Sequence, residues 1–290
     1  MPRKDAVSHT RVPPSLAPVL RSFIDRYGEP ERWARTEIHR PWVVVSRETV
    51  GYLAYDEASL ERLERERTRL LWARSAGVPT PEIVEDSDTM FVTSRSPIDP
   101  PSGARYVELA VEAAMTITAA EPPPLSKLSG RRRASKITLP IRGARAVAGG
   151  LDPRRFISAK RAASMLPRDA LSHGDFHTNN VLFDSGAERV VVIDWSYLGF
   201  QPRWTDLVYF WTRLPAPQDR ALLADRLIEL ADDHRHLGAL LRWIAIRSYA
   251  EMVTDEAWRR RDRVKLEQGR LVMDEAEKIA QRIEGMADAG

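Results

Sequence analysis

Apolar and polar positions along the chain change period several times, and each change marks an element. Residues 1–15 are polar and carry Pro13-Pro14, as in a loose arm. From Arg32 to Tyr55 the chain alternates in the manner of strands. The runs Trp42-Val43-Val44-Val45 and Val50-Gly51-Tyr52-Leu53-Ala54-Tyr55 are β-branched or aromatic, and Arg47-Glu48-Thr49 separates them. A period of 3.6 takes over from about Glu57 to Ser75. There Leu60, Leu63, Leu70 and Leu71 form one apolar stripe with Glu66 at its edge, and Arg and Glu fill the rest. Gly77 ends this helix, and Pro79 and Pro81 forbid its continuation. Strands around Glu82–Glu85 and Met90–Ser94 then lead to Pro97, Pro100 and Pro101. This pattern predicts a small β-rich lobe with one helix over residues 1–97.

Beyond the proline-rich link the period is helical. Tyr106 to Ala120 is one run, stopped by Pro122-Pro123-Pro124. Residues 125–153 are basic and poorly periodic and predict no definite element. Phe156 to Leu166 reads as helix, 171–194 as a compact strand-rich segment, and Thr205 to Met286 as several helices. The expected fold class is therefore α+β and bilobal, with a larger, mainly helical second lobe over 98–290.

Composition narrows the class of protein. At 290 residues and 43% hydrophobic, the chain can fill one large or two modest cores. It has no run of eighteen apolar residues, and Met1-Pro2-Arg3-Lys4-Asp5 leads into no apolar segment, so neither a membrane helix nor a secretory leader is expected. Zero cysteines exclude disulfides, Cys-ligated zinc and thiol nucleophiles together. A cytoplasmic protein without a membrane or nucleic-acid partner is the expectation. The net charge of +3 demands no polyanion, and the 38 arginines against six lysines are read as coding composition. Twelve basic residues lie between Lys127 and Arg168, including Arg131-Arg132-Arg133. They read either as a solvated loop or as a tract attracting an anionic ligand.

Nearly all the chemistry sits in residues 171–206. His173-Gly174-Asp175-Phe176-His177-Thr178-Asn179-Asn180 precedes the apolar run Val181-Leu182-Phe183. Asp184-Ser185-Gly186-Ala187 supplies a turn, and Val190-Val191-Val192-Ile193 returns to Asp194-Trp195. A hairpin centred near 186–187 sets Asn180 opposite Ile193 and beside Asp194, with Asp175 in the loop feeding the same end. Carboxamide and carboxylate oxygens suit Mg²⁺ completed by phosphate and water. A further carboxylate can accept a hydrogen bond from an attacking hydroxyl and orient it, which is most of what phosphoryl transfer requires. Turn capping is the structural alternative for these three residues. His173 and His177 with Asp175 could also hold a transition metal, but that set lacks a further ligand.

These residues resemble the aminoglycoside phosphotransferase family of the protein kinase-like superfamily. The likeness rests on His173-Gly174-Asp175-Phe176-His177 with Asn180, on Ile193-Asp194-Trp195, and on Asp206-Leu207. In the first lobe it rests on Glu66 followed by Gly77-Val78-Pro79-Thr80-Pro81. The resemblance implies that Asp175 is the catalytic base and that Asn180 and Asp194 bind Mg²⁺. It implies that His173 and Asp206 brace the loop. His177 is read as a loop-bracing or substrate-edge residue. ATP or GTP is the implied co-substrate, seated near Ser94, Arg95 and Ser96, and the acceptor is a small hydroxylated molecule such as an aminoglycoside or macrolide.

One feature departs from that family. Its first-lobe lysine, which pairs with the helix glutamate and contacts nucleotide phosphates, has no counterpart, since no lysine lies between Lys4 and Lys127. Arg47 is one substitute, because guanidinium binds phosphate well. Otherwise the equivalent position is Ala54 or Tyr55 and the contact is absent, which admits a nucleotide-binding pseudokinase with a regulatory role. Neither a Walker A loop nor G-x-G-x-x-G occurs. Trp195, Trp204, Tyr209 and Trp211 read mostly as core. The acids Asp225, Glu229, Asp232, Asp233, Glu251, Asp255 and Glu256 read as a wet helix face or as an attraction for a cationic acceptor.

Overall fold

The computed structural model describes residues 12–34, 40–96, 99, 102–124, 138–252 and 263–289. Residues 1–11 of the expected arm, Pro97, Pro100, Pro101, the Arg131–Arg133 triplet, Asp255 and Glu256 lie outside them. The chain divides into two compact units. One comprises Met1–Asp99 with Leu182–Ser196, the other Pro100–Val181 with Tyr197–Gly290. The α+β fold class expected from the sequence agrees with this mixture of a small antiparallel sheet and a mostly helical remainder.

In the first unit a 3-10 turn (Pro14–Leu16) opens helix α1 (Ala17–Tyr27). Five antiparallel strands follow: β1 (Arg32–Ala34), β2 (Trp42–Val45), β3 (Thr49–Leu53), β4 (Ile83–Asp86) and β5 (Met90–Ser94), in the order β1-β2-β3-β5-β4. The alternation on β3 buries Thr49, Gly51 and Leu53 on one face and directs Val50 and Tyr52 to the other. Phe23 of α1 is fully buried against the first of these faces, with Leu16, Trp42, Val44, Leu53, Met90 and Val92. The ring lies so close to the sheet that a Cβ on Gly51 would stand 2.5 Å from Phe23 Cε2. Glycine is required there by close approach.

Helix α2 (Glu57–Ser75) starts with a capping box. The Asp56 carboxylate accepts from the Ser59 amide at 2.7 Å, and Ser59 Oγ accepts from the Asp56 amide at 2.9 Å. Its buried face is not the stripe expected from the leucines. Leu63, Leu70 and Ala73 are buried with Ser59 and Arg69, whereas Leu60 and Leu71 are 39% and 44% exposed. The face is rotated, and Glu66, spaced between Leu63 and Leu70, falls within it rather than at its edge. The expected hairpin is present as β7 (Val181–Asp184) and β8 (Arg189–Val192). The Asp184 carboxylate caps its turn through the Ala187 amide at 3.1 Å. By its contacts it groups with the first unit: Val192 donates to the Pro79 carbonyl at 2.8 Å, and Ser185 to the Asp99 carboxylate at 2.8 Å.

The second unit holds α3 (Ala104–Ala119), α4 (Thr138–Ala148), α5 (Pro153–Ser164), α6 (Thr205–Arg213), α7 (Pro217–Leu230), α8 (His234–Met252) and α9 (Arg263–Ala289). Strand β6 (Ala170–Ser172) pairs antiparallel with β9 (Gly199–Gln201). Helix α8 is packed by α4, α5, α6 and α9 and buries Leu237, Leu241, Ile244, Ala245 and Tyr249. Arg242 of α8 pairs with Glu277 and Glu284 of α9. Among the described residues no helix is long and apolar enough to cross a membrane.

Candidate active site

The loop from β6 to β7 is built around a buried carboxylate. Asp206, on the first turn of α6 and 5% exposed, accepts from Ser172 Oγ at 2.7 Å, the His173 amide at 2.7 Å and the Gly174 amide at 3.0 Å. Burial pushes its pKa up, and the His173 ring and these donors oppose that shift. The backbone of His173-Gly174 is thereby fixed from below. Gly174 sits at φ 80°, and a Cβ there would meet the Tyr197 carbonyl oxygen at 2.4 Å, so both conformation and space demand glycine. His173 is fully buried, and its Nδ1 accepts from the Asp175 amide at 3.3 Å. Phe176, also fully buried, anchors the loop against Phe210 with ring centroids 5.6 Å apart.

Above that foundation three polar side chains meet. Asn180 Nδ2 donates to the Asp175 carbonyl at 2.9 Å and to Asp175 Oδ2 at 3.3 Å. The His177 carbonyl accepts from the amides of Asn180 and Val181 at 2.8 and 2.9 Å, which turns the chain into β7. His177 Nδ1 accepts from the Asn179 amide at 3.1 Å, and its Nε2 lies 3.7 Å from Asp175 Oδ2 and 3.5 Å from Asn180 Nδ2. The ring of His177 meets the edge of Tyr209 with centroids 5.8 Å apart. Because the Asn180 amide uses its NH₂ on Asp175, its oxygen is the atom left to serve as a ligand. An amide oxygen is a donor that a hard cation accepts.

In the first unit a second cluster forms about Glu66. Asp194 stands just past β8 with φ 59°, a left-handed conformation that aspartate tolerates better than most residues. Its Oδ1 accepts from the Ser196 amide at 3.4 Å. Ser196 Oγ donates to Glu66 Oε2 at 3.0 Å. Arg69, one turn along α2, donates to the carbonyls of Trp195 and Ser196 at 3.1 and 2.8 Å. Trp72 adds an edge contact with Trp195, centroids 5.9 Å apart. Helix α2 thus pins the segment that carries Asp194. Burial and the charge of Asp194 raise the pKa of Glu66 to about 7, against Ser196, Arg69 and Arg40, which lower it. Tyr52 is pushed above its ordinary range by burial, then by Glu66 and Asp194.

No lysine is among the residues that act on this cluster. Arg47 lies exposed in the β2–β3 turn and makes no bond or ion pair with another described residue. The β3 side chain that shares the field of Glu66 and Asp194 is Tyr52, and the cations that act on Glu66 are Arg69 and Arg40. None of Tyr52, Arg40, Arg69 and Ser196 is marked by a sequence motif. The one available signal is that Tyr52 occupies the β3 face opposite the Gly51 contact. Of the three residues expected at the nucleotide's edge, Ser94 and Arg95 use their amides on the carbonyls of Glu82 and Glu48, at 2.8 and 2.7 Å. The Arg95 guanidinium is bonded to the Ser46 carbonyl at 2.8 Å. Ser96 alone of the three keeps its amide without a partner among the described residues.

Comparisons with known proteins agree with these motifs. The phosphotransferase enzyme family APH matches residues 27–243. No curated protein matches the sequence significantly. Among solved structures, the streptomycin–ATP ternary complex of APH(2'')-IIa is 13% identical, with a TM-score of 0.58 over 87% of this chain and 95% of that one. The apoenzyme of macrolide 2'-phosphotransferase MphH from Brachybacterium faecium is 16% identical, with a TM-score of 0.54 over 90% and 98%. AMP-bound spectinomycin phosphotransferase APH(9)-Ia is 13% identical, with a TM-score of 0.56 over 92% and 98%. At such identities the likeness is one of fold.

Proposed function

Because the chain belongs to the phosphotransferase enzyme family, we propose that it transfers the γ-phosphate of ATP or GTP to a hydroxyl of a small molecule. One observation carries this reading: Asp175 is held by the Asn180 amide in a loop whose backbone is fixed by the buried Asp206. A carboxylate fixed in this way accepts a hydrogen bond from the acceptor hydroxyl and aims its oxygen, and it takes the proton as the new bond forms. His177 borders that carboxylate, with Nε2 3.7 Å from Asp175 Oδ2. Asn180 and Asp194 are each the oxygen donors assigned to Mg²⁺, a hard cation that suits both. When bound, that ion neutralises charge on the β- and γ-phosphates.

The reading draws support from the company of nucleotide-bound phosphotransferases of the same fold. Asp175→Ala is expected to abolish nucleotide consumption while leaving nucleotide affinity within a few-fold, since positioned general bases contribute roughly 10²–10⁴ in rate. Mg-ATP and Mg-GTP consumption over a panel of hydroxylated compounds, with affinity from thermal shift, checks this. Equal turnover in wild type and variant defeats the assignment. Binding without consumption across the panel defeats the enzyme reading in favour of a regulator.

A further inference from the structure

Next to the His177 end of the Asp175 loop, the second unit gathers three arginines among its described residues. Tyr209 of α6, whose ring edge meets His177, carries the guanidinium groups of Arg213 and Arg247 over its ring, 5.3 and 5.8 Å from the centroid. Both arginines and Arg142 of α4 converge on a single carboxylate, Glu251 of α8. The contacts are 3.1 Å from Arg247 Nε, 3.3 Å from an Arg213 amino nitrogen and 3.5 Å from Arg142. Tyr209 Oη donates to the same carboxylate at 3.4 Å. The field of Asp175 reaches Tyr209 as well. Three guanidinium groups therefore gather on one carboxylate, and two of them lie over the ring that borders His177.

A structural ion pair in the same unit looks different. Arg220 meets Glu275 with two bonds of 2.7 and 2.9 Å, one fork to one carboxylate. Around Glu251 one carboxylate is shared three ways at longer distances, and Arg213 Nε is buried with no partner among the described residues. A guanidinium short of one partner, as that of Arg213 is, is suited to bind a further anion. Their side chains stay 27–32% exposed, whereas Glu251 is 11% exposed, so the cations and not the acid meet the solvent.

Building on the phosphotransferase reading, we propose that Arg142, Arg213 and Arg247 form the acceptor's recognition site and that the acceptor is an alcohol bearing an anionic group, carboxylate or phosphate. Its hydroxyl reaches Asp175 while its anion lies on the arginines across Tyr209. Glu251 sets the spacing of the guanidinium forks and competes with the anion for them. A polycationic acceptor is repelled by the same groups.

The test uses four probes of graded charge: gluconate (carboxylate), glucose 6-phosphate (phosphate), glucose (neutral) and kanamycin (polycation). Consumption of Mg-ATP and Mg-GTP is expected with one or both anionic probes, and comparison of the two separates a carboxylate from a phosphate preference. Arg247→Gln is expected to raise KM for the anionic probe roughly tenfold, the worth of one charge-assisted bond. Its kcat should change no more than about twofold, because the lost contact is present in ground and transition states alike. Glu251→Gln is expected to lower that KM, an opposite sign that a purely structural ion-pair role does not produce. Turnover of glucose or kanamycin at equal or better kcat/KM overturns the inference, as does an unchanged KM in Arg247→Gln. If no probe is consumed, an anion-dependent thermal shift present in wild type and absent in Arg247→Gln upholds the anion site while removing the phosphotransfer reading. No consumption and no such shift overturns the site itself.

Discussion

Burial takes Glu66 well away from ordinary carboxylate behaviour. In the folded state burial and the charge of Asp194 raise its pKa to about 7, from 4.5 in an unfolded chain. The native state therefore holds the proton more tightly. Its contribution to stability is complete below pH 4.5 and is lost as pH rises through 7. The loss is at most about 3 kcal/mol, less in so far as water reaches the half-buried group. Glu66→Gln, which cannot ionise, is expected to show a flatter melting-temperature profile between pH 4.5 and 7.5, and identical profiles would remove this account. The residues of the two clusters, one in each unit, differ in how legible they are in the chain. Asp175, His177 and Asn180 meet because they are within five positions of one another, so a motif suffices to find them. Arg69 follows Glu66 by one helical turn, but Tyr52 and Ser196 come to it only through strand register and the return of the chain after β8, which no local pattern encodes.

The β7–β8 hairpin was readable because two apolar runs flank a turn with its own Asp cap, and α2 because it is long and capped. Helix α1 is not anticipated: it is short, begins Ala-Pro and directly follows the polar arm, although Leu16, Val19, Leu20, Phe23 and Tyr27 fall at helical spacing and pack on the sheet. Helix α4 fell in the stretch left without an element, where Pro140, Gly143 and a run of arginines hide its period. The pair β6 and β9 is three residues a side, below what alternation can reveal. The rotated face of α2 has a similar origin, since leucine spacing alone did not separate the buried Leu63 and Leu70 from the exposed Leu60 and Leu71. The α1–sheet contact gives a direct test. Gly51→Ala is expected to destabilise by about 1–3 kcal/mol through overpacking against Phe23. Phe23→Leu in the same chain should recover part of that loss, and additive effects in a double-mutant cycle would refute the contact.

The first unit is discontinuous in the chain: residues from 182 to 196 return to complete what the opening 99 began. Without them α2 loses the Trp195 and Ser196 carbonyls that Arg69 holds, and Pro79 and Asp99 lose their hairpin partners. A fragment of residues 1–99 is therefore expected to give helical circular dichroism without a cooperative melt. A sharp thermal transition in that fragment would show that the hairpin is dispensable. The described site in this unit also stands on arginine, tyrosine and serine, and its only lysine anywhere is Lys4. Acyl-phosphate nucleotide reagents, which mark kinases by acylating the amine beside the bound triphosphate, will find no amine in the sheet. Surveys that count such enzymes by that chemistry will pass over this one.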